Sequence, residues 1–338
     1  MPKLRWGILS TGFIAGRFAE GVASSNSGKL VGVSSRNLET AQEFAAKHGN
    51  CSAYGSHAEL LARDDLDAVY VASPHPFHAE MAIAAAEAGK HILCEKPIAM
   101  NSQETEAIIA AAEKAVVTLV EAYMYRCHPQ TAKVAQLIRE GAIGEVKLVQ
   151  AAFGFHAPFD PEGRLFAKQL GGGGILDVGG YPASFACMVA DLANGGSETA
   201  VTCSGGLGQI DPRCGTDTLA IANLDFSSGL RAQISCSTQL AQNNHVRIYG
   251  SEGWIDIAEP WIVSPRGGVW SFHHYRSDAS KPDIVSGQDR RELYGVEADT
   301  FAQLVAGERP NAPYMTLSDT RRTNQILEDW QKQLAQAK

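Results

Sequence analysis

Between residues 4 and 122, short apolar runs alternate with helical stretches, and this alternation constrains the fold of the 338-residue chain more than any other feature. The runs "LRWGILS" (4–10), "KLVGVSS" (29–35), "DAVYVAS" (67–73), "HILCEK" (91–96) and "VTLVEA" (117–122) read as strands. Between them lie an amphipathic helix over 37–49 closed by Gly49, a helix over 76–90 ending at Gly89, and a helix over 102–115 opened by Ser102 with Glu104 in its first turn. Strands that alternate with helices predict a parallel sheet covered on both faces. After residue 123 the pattern changes. A helix over 129–144 and a strand over 145–155 precede a glycine-rich segment and a further helix. Strand-like runs at 199–207, 218–226, 230–238, 245–251 and 253–258 follow, joined by turns such as "SSG" and "SEG". These predict a mainly antiparallel sheet, with a long terminal helix over 315–337. The expected organisation is an α/β domain over 1–122 and an α+β domain over 123–338, its terminal helix returning toward the first domain.

Net charge is -8 and no basic block occurs, which argues against a nucleic-acid partner. No apolar run in the sequence approaches the roughly 18 to 20 residues that span a bilayer, and the N-terminus runs straight into a strand without a leader pattern. Seven cysteines (51, 94, 127, 187, 203, 214, 236) are scattered with no C-x-x-C pair. Reduced, mostly buried thiols in a cytoplasmic protein are the expectation.

The first strand runs into Ser10-Thr11-Gly12-Phe13-Ile14-Ala15. Against the dinucleotide pattern G-x-G-x-x-G/A, Ser10 stands for the first glycine, Gly12 for the second and Ala15 for the third, between strand and helix as the pattern requires. An NAD site usually carries an acid about 20 residues farther on, for the ribose 2′-hydroxyl. Here the second strand ends Ser34-Ser35-Arg36-Asn37, and no acid occurs before Glu39. Hydroxyls and a guanidinium suit a 2′-phosphate, so Ser35 and Arg36 predict NADP(H) over NAD(H). The plainer alternative is that Arg36 caps a strand at the surface.

Three further stretches, "CEKPIAMN" (94–101), "EAYMYRCHPQ" (121–130) and "GGGGILDVGGYP" (171–182), carry a resemblance. With "SPHPFHAE" (73–80) and the arginine-bearing segment before the glycine run, they resemble the glucose–fructose oxidoreductase / inositol dehydrogenase family over essentially the whole chain. In D-x-x-x-Y, Asp177 and Tyr181 look most like its glucose–fructose oxidoreductase, xylose dehydrogenase and dihydrodiol dehydrogenase branch. The resemblance implies a Rossmann domain followed by an α+β domain with a large, open, mostly antiparallel sheet. It implies an active site in a cleft between them, and hydride transfer between nicotinamide and a sugar-like alcohol or carbonyl.

Tyr181 is then the acid/base, Lys96 its partner, and Asp177 a residue that accepts from substrate hydroxyls or holds Lys96. Arg164 is a substrate contact. The cofactor contacts are Ser10, Thr11, Gly12, Phe13, Ile14, Ser35, Arg36, Ser73, Pro74, His75, His78, Glu95, Lys96 and Arg126, with His75 standing where the family usually has asparagine. The family also implies association into a homodimer or homotetramer.

A tyrosine needs roughly three pKa units of depression, about 4 kcal/mol, to act as a base near pH 7, and a neighbouring ammonium supplies much of that. Each residue alone has a plainer alternative: Lys96 as a solvated turn residue, Asp177 as a helix cap, Tyr181 as a core aromatic and His78 as a structural histidine. Arg126 and His128 fit either the cofactor or the domain junction. Gly171 to Gly174 are expected to let the backbone lie close against the ligands. The pair His273-His274 falls on a strand with opposed side chains, so no metal site is expected. The predicted reaction is oxidation of an aldose at C1 to its lactone, or the reverse carbonyl reduction. Alternatives are a trans-dihydrodiol or an anhydro-sugar/dicarbonyl substrate, or a dinucleotide-binding sensor without turnover.

Overall fold

The computed structural model describes residues 3–336. By internal contacts the chain forms two units. The first comprises residues up to His128 together with Ser264–Gly268 and Asp289–Leu317. The second comprises Pro129–Val263, Val269–Gln288 and the chain from Ser318 onward. The expected single boundary near residue 122 therefore gives way to an interleaved division.

The first unit contains β1 (Leu4–Leu9), α1 (Phe13–Ser24), β2 (Gly28–Ser34), α2 (Leu38–Lys47), β3 (Ser52–Tyr54), α3 (His57–Leu61) and β4 (Ala68–Val71). It continues with α4 (His78–Glu87), β5 (His91–Glu95), α5 (Ser102–Ala115), β6 (Leu119–Ala122) and α6 (Met124–Cys127). The sheet order is β3-β2-β1-β4-β5-β6, and every pair is parallel. The order reverses between β1 and β4, the switch point at which such sheets bind dinucleotides. Val69, Val71, Ile92 and Cys94 pack with Ile108, Ile109 and Ala85 in one buried cluster. A second core holds Phe18 stacked on Tyr70 at 3.8 Å, with Trp6 5.0 Å from Phe18 and 5.1 Å from Phe301.

The second unit begins with α7 (Pro129–Arg139), β7 (Val146–Gly154), α8 (Gly180–Ala193), β8 (Val201–Ile210), β9 (Asp217–Phe226) and β10 (Arg231–Ser237). Then come β11 (Val246–Gly250), β12 (Gly253–Ile257), β13 (Gly268–Arg276) and β14 (Asp283–Asp289). The strand order is β14-β13-β12-β11-β7-β10-β9-β8, with β7 and β10 parallel and β11–β7, β11–β12, β12–β13, β9–β10 and β8–β9 antiparallel. Among the described residues one helical stretch, 168–193, is long and apolar enough to cross a membrane, and it is buried.

Two helices end the chain, α9 (Leu293–Val305) and α10 (Leu317–Gln336). It is α9 that joins the first unit, packing on α1, where a Cβ on Gly21 would lie 2.5 Å from the Tyr294 Cβ. The terminal helix α10 stays with the second sheet, its Trp330 Nε1 donating to the Ile221 carbonyl at 3.0 Å. Helix α9 thus counts with the first unit and the terminal helix α10 with the second. The expected last residue of that helix, Ala337, lies outside the described residues.

Candidate active site

In the first unit, β1 runs into Ser10, which adopts φ +91°, a left-handed backbone that a glycine takes more easily. Its N–H donates to the Ser34 carbonyl at 2.9 Å, which fixes the turn to β2. Gly12 then precedes α1, and a Cβ there would meet nothing within 4 Å. The first turn of α1 has no side-chain cap and no acidic residue, so its N–H groups and dipole are left open toward an anion. Thr11 and Ile14 line the turn half-buried, while Phe13 is 85% exposed.

The end of β2 turns away from carboxylates. Asn37 is occupied as the cap of α2, accepting from Glu39 N at 2.8 Å and Thr40 N at 3.3 Å. Arg36 is exposed, and no carboxylate among the described residues pairs with it. Buried Ser34 bonds through its hydroxyl to Nδ1 of His57, at 2.8 Å. Burial, then the charge of Arg36, lowers the His57 pKa. Sequence reasoning missed His57, whose partners lie on another strand. After β4, the buried Ser73 Oγ has no protein partner, an orphan hydroxyl beside Pro74 and the buried His75. These features fit a dinucleotide. Gly12 and the α1 amides would hold its pyrophosphate, Ser35 and Arg36 its ribose end, and Ser73 to His75 the region after β4.

Lys96 stands at the tip of β5, and the loop behind it is fastened from three sides. The Glu95 carboxylate accepts from the Lys96 N–H at 3.1 Å and from the Tyr70 hydroxyl. Next, the Pro97 carbonyl meets His78 Nδ1 at 2.8 Å, and Ile98 N donates to Glu121 at 2.9 Å. The Lys96–Pro97 peptide is cis. Three of the residues expected at the cofactor also brace the fold. Glu95 turns inward as a buried brace. His78 bridges two loops, its other nitrogen lying 2.8 Å from the Ser73 carbonyl, and burial lowers its pKa. The buried guanidinium of Arg126 donates to the carbonyls of Pro313 and Tyr314. His128 is also buried, which pushes its pKa down to about 4.

In the second unit the glycine run leads into a single π turn, Ile175–Gly179, and then α8. Asp177 lies in the wide turn and Tyr181 at the start of α8, so the spacing between them is stretched relative to a plain α-helix, beside a proline that lacks an amide donor. Asp177 is buried and accepts from Arg164 at 2.7 Å, while the Arg164 side chain stays 55% exposed. The Tyr181 ring is buried edge-on to Phe153 at 5.0 Å and to Trp261 at 5.8 Å. The glycines also face close neighbours within the chain. A Cβ on Gly172 would lie 2.8 Å from the Phe166 carbonyl carbon, and one on Gly173 2.3 Å from Asp217 Oδ1. The run is small because the chain itself comes close. On β13 His274 is buried and bonds the Ala142 carbonyl at 3.0 Å, whereas His273 is exposed.

Residues 4–123 match the model of an oxidoreductase family with an NAD-binding Rossmann fold, and residues 131–256 match the GFO/IDH/MocA C-terminal domain. A trans-1,2-dihydrobenzene-1,2-diol dehydrogenase of Xenopus laevis is 32% identical over 332 residues, covering 98% of each chain. A D-xylose 1-dehydrogenase (NADP(+)) of Haloferax volcanii is 31% identical over 309 residues, 91% of each chain. Among solved structures, an aldose-aldose oxidoreductase of Caulobacter crescentus complexed with glycerol superposes with a TM-score of 0.84 at 25% identity, covering 99% of this chain and 98% of that one. KijD10, a 3-ketoreductase of Actinomadura kijaniata in complex with NADP and TDP-benzene, gives 0.81 at 25% identity, covering 96% of each chain.

Proposed function

The chain belongs to the GFO/IDH/MocA family of NAD(P)-dependent oxidoreductases, and from that premise we propose that it exchanges hydride between NADP(H) and a small sugar. The preferred reaction is oxidation of an aldose at C1 to its lactone, or the reverse reduction of a carbonyl. One observation carries this reading: a buried carboxylate, Asp177, and a buried phenol, Tyr181, share one short turn braced by Arg164. The nicotinamide supplies or takes the hydride when bound.

The chain's own residues handle the proton and the orientation. Tyr181 takes the proton from the reacting hydroxyl in oxidation and returns it to the carbonyl oxygen in reduction. The Lys96 ammonium stabilises the phenolate, and its fastened loop keeps the cost of orienting that charge low. Phe153 and Trp261 keep water from the phenol's ring. The Asp177–Arg164 pair offers an acceptor and donors to sugar hydroxyls. NADP(H) is favoured by the absence of an acid at the end of β2 and by the NADP of the Haloferax xylose dehydrogenase and of the KijD10 complex. A trans-dihydrodiol is the second substrate reading, favoured by the name of the Xenopus relative. Seven free thiols accord with a reducing, cytoplasmic setting.

A panel of sugars, dicarbonyls and dihydrodiols, followed by nicotinamide absorbance, separates the substrate readings. Tyr181→Phe and Lys96→Met should each lower kcat at least ~100-fold on the best substrate, the size of lost acid/base assistance, while NADP(H) still binds. Near-normal turnover in either variant would falsify the assignment.

A further inference from the structure

A helix N-terminus leaves backbone N–H groups that need acceptors. The helix carrying Asp177 and Tyr181 starts in a run of four glycines, and its cap residue, Gly174, brings no side chain. The acceptor arrives from 42 residues away. Asp217, the first residue of β9, accepts from Ile175 N at 2.8 Å through Oδ2. Gly173, at φ +119°, makes room for it, since any Cβ there would lie 2.3 Å from Oδ1. The carboxylate is buried, and no cation pairs with it among the described residues.

We infer that Asp217 is a positioning residue for the proposed reaction: its carboxylate closes the N-terminus of the turn and helix that carry Asp177 and Tyr181, and so sets where both groups stand. The inference rests on the catalytic reading of those two residues. An asparagine oxygen could accept the same bond from Ile175 without a buried charge, so folding alone does not require an acid. An ionised carboxylate does more, holding the positive end of the helix with charge-assisted bonds.

Burial pushes the Asp217 pKa up to about 6, with the bonds from Ile175, its own amide and Gly174 pulling the other way. The ionisable groups facing it are the Cys236 thiol on β10 and, along the same helix turn, Asp177; both carboxylates raise the Cys236 pKa. Protonation turns one acceptor into a donor and weakens the charge that holds the Ile175 N–H and the helix end. Activity is therefore lost as pH falls through about 6. Stability runs the opposite way: a raised folded-state pKa gives a contribution present at low pH and lost as pH rises through the same region.

The experiment compares wild type, Asp217→Asn and Tyr181→Phe by kcat and KM from pH 5 to 9, by NADP(H) titration and by thermal unfolding at pH 8. Asp217→Asn should lower kcat about 10- to 100-fold at pH 8, the scale of a small misplacement of reacting groups, with NADP(H) affinity kept within about twofold. It should also lack the acid limb near pH 6 shown by wild type, and unfold no earlier than wild type at pH 8. A wild-type kcat that is flat through pH 6, an acid limb kept in Asp217→Asn, or wild-type turnover in that variant overturns the inference. If the variant does not fold, the wild-type profile alone decides. Normal turnover in Tyr181→Phe overturns the catalytic reading and this inference together. A dead Tyr181→Phe beside a normal Asp217→Asn overturns the positioning role only.

Discussion

Arg36 is the residue on which the proposed preference for NADP(H) turns. It is exposed, follows a strand with no acid at its end, and has no carboxylate partner among the described residues. A guanidinium in that state is free to take a 2′-phosphate. Arg36→Glu should weaken NADP(H) binding by about 10- to 100-fold, the loss expected for a hydrogen bond to a charged group, and leave NAD(H) binding almost unchanged. Fluorescence titration with both cofactors checks this, and equal losses for the two would show that Arg36 does not face the 2′ position. Lys96, Asp177 and Tyr181 were legible as candidates because their motifs are local and unusual in combination. Glu95, His78 and Arg126 look equally prominent in sequence, yet they brace loops through bonds to Tyr70, Ser73, Pro97, Pro313 and Tyr314. A bond between residues far apart in the chain leaves no local signal, and His57 and Asp217 were invisible for the same reason.

At the scale of elements, the strands and helices with clean periodicity were readable to within a few residues, and the helix over Ser102–Ala115 matched at both ends. Among the elements that escaped, beside β3, α3 and β14, the longest is α9. It buries Leu293 to Phe301 without a break, including Glu297 and Asp299, so it shows no polar face to mark its period. Asp299 is explained by its partners, accepting from Ser25 Oγ at 2.6 Å, Ser27 N at 2.9 Å and Arg291 at 2.9 Å. Glu297 is different. One of its carboxylate oxygens has no partner, and burial, then the charge of Glu95, holds its pKa well above the ordinary carboxylate range. A folded state that binds the proton more tightly than the unfolded chain is favoured at low pH, and that contribution is lost as pH rises toward the folded pKa. Glu297→Gln removes the proton from the balance. Its thermal midpoint should exceed that of wild type by a few degrees at pH 8 and show no gain at pH 5. An equal loss of stability at both pH values would mean that the acid is ionised and paired.

At the scale of the molecule, the second sheet is covered on one face only, with Val246, Ile248, Ile255 and Ile257 buried beneath it. On the opposite face, cross-strand pairing places Tyr249 beside Trp254 and Trp254 beside Tyr275. Trp254 and Tyr275 stack at 3.8 Å, and Arg247 lies over the Trp254 ring at 6.0 Å. Farther along the same face, Leu207 and Ile221 are about half exposed and paired with each other. The centre is neutral, with Gln150 bonded to Gln233 at 2.7 Å and Tyr249 donating to Gln150 at 3.1 Å. Aromatics around two glutamines, with Arg247 paired to Asp256 at 3.3 Å and Arg231 paired to Asp225, give this face the composition of an association surface. A hollow of about 340 Å³ lined by Ile221, Asn223, Gln233 and His245 gives a partner's side chains a place to enter. The net charge of -8 opposes the meeting of two copies only weakly, because the carboxylates on this face, Asp225 and Asp256, are each paired with an arginine. We therefore expect a homodimer or homotetramer joined through this face. Trp254→Glu would bury two like charges across such a contact, and in sedimentation it should run as a monomer while its isolated fold and NADP(H) affinity persist. A wild-type chain that sediments as a monomer at micromolar concentration, or a Trp254→Glu variant that stays associated, places the contact elsewhere.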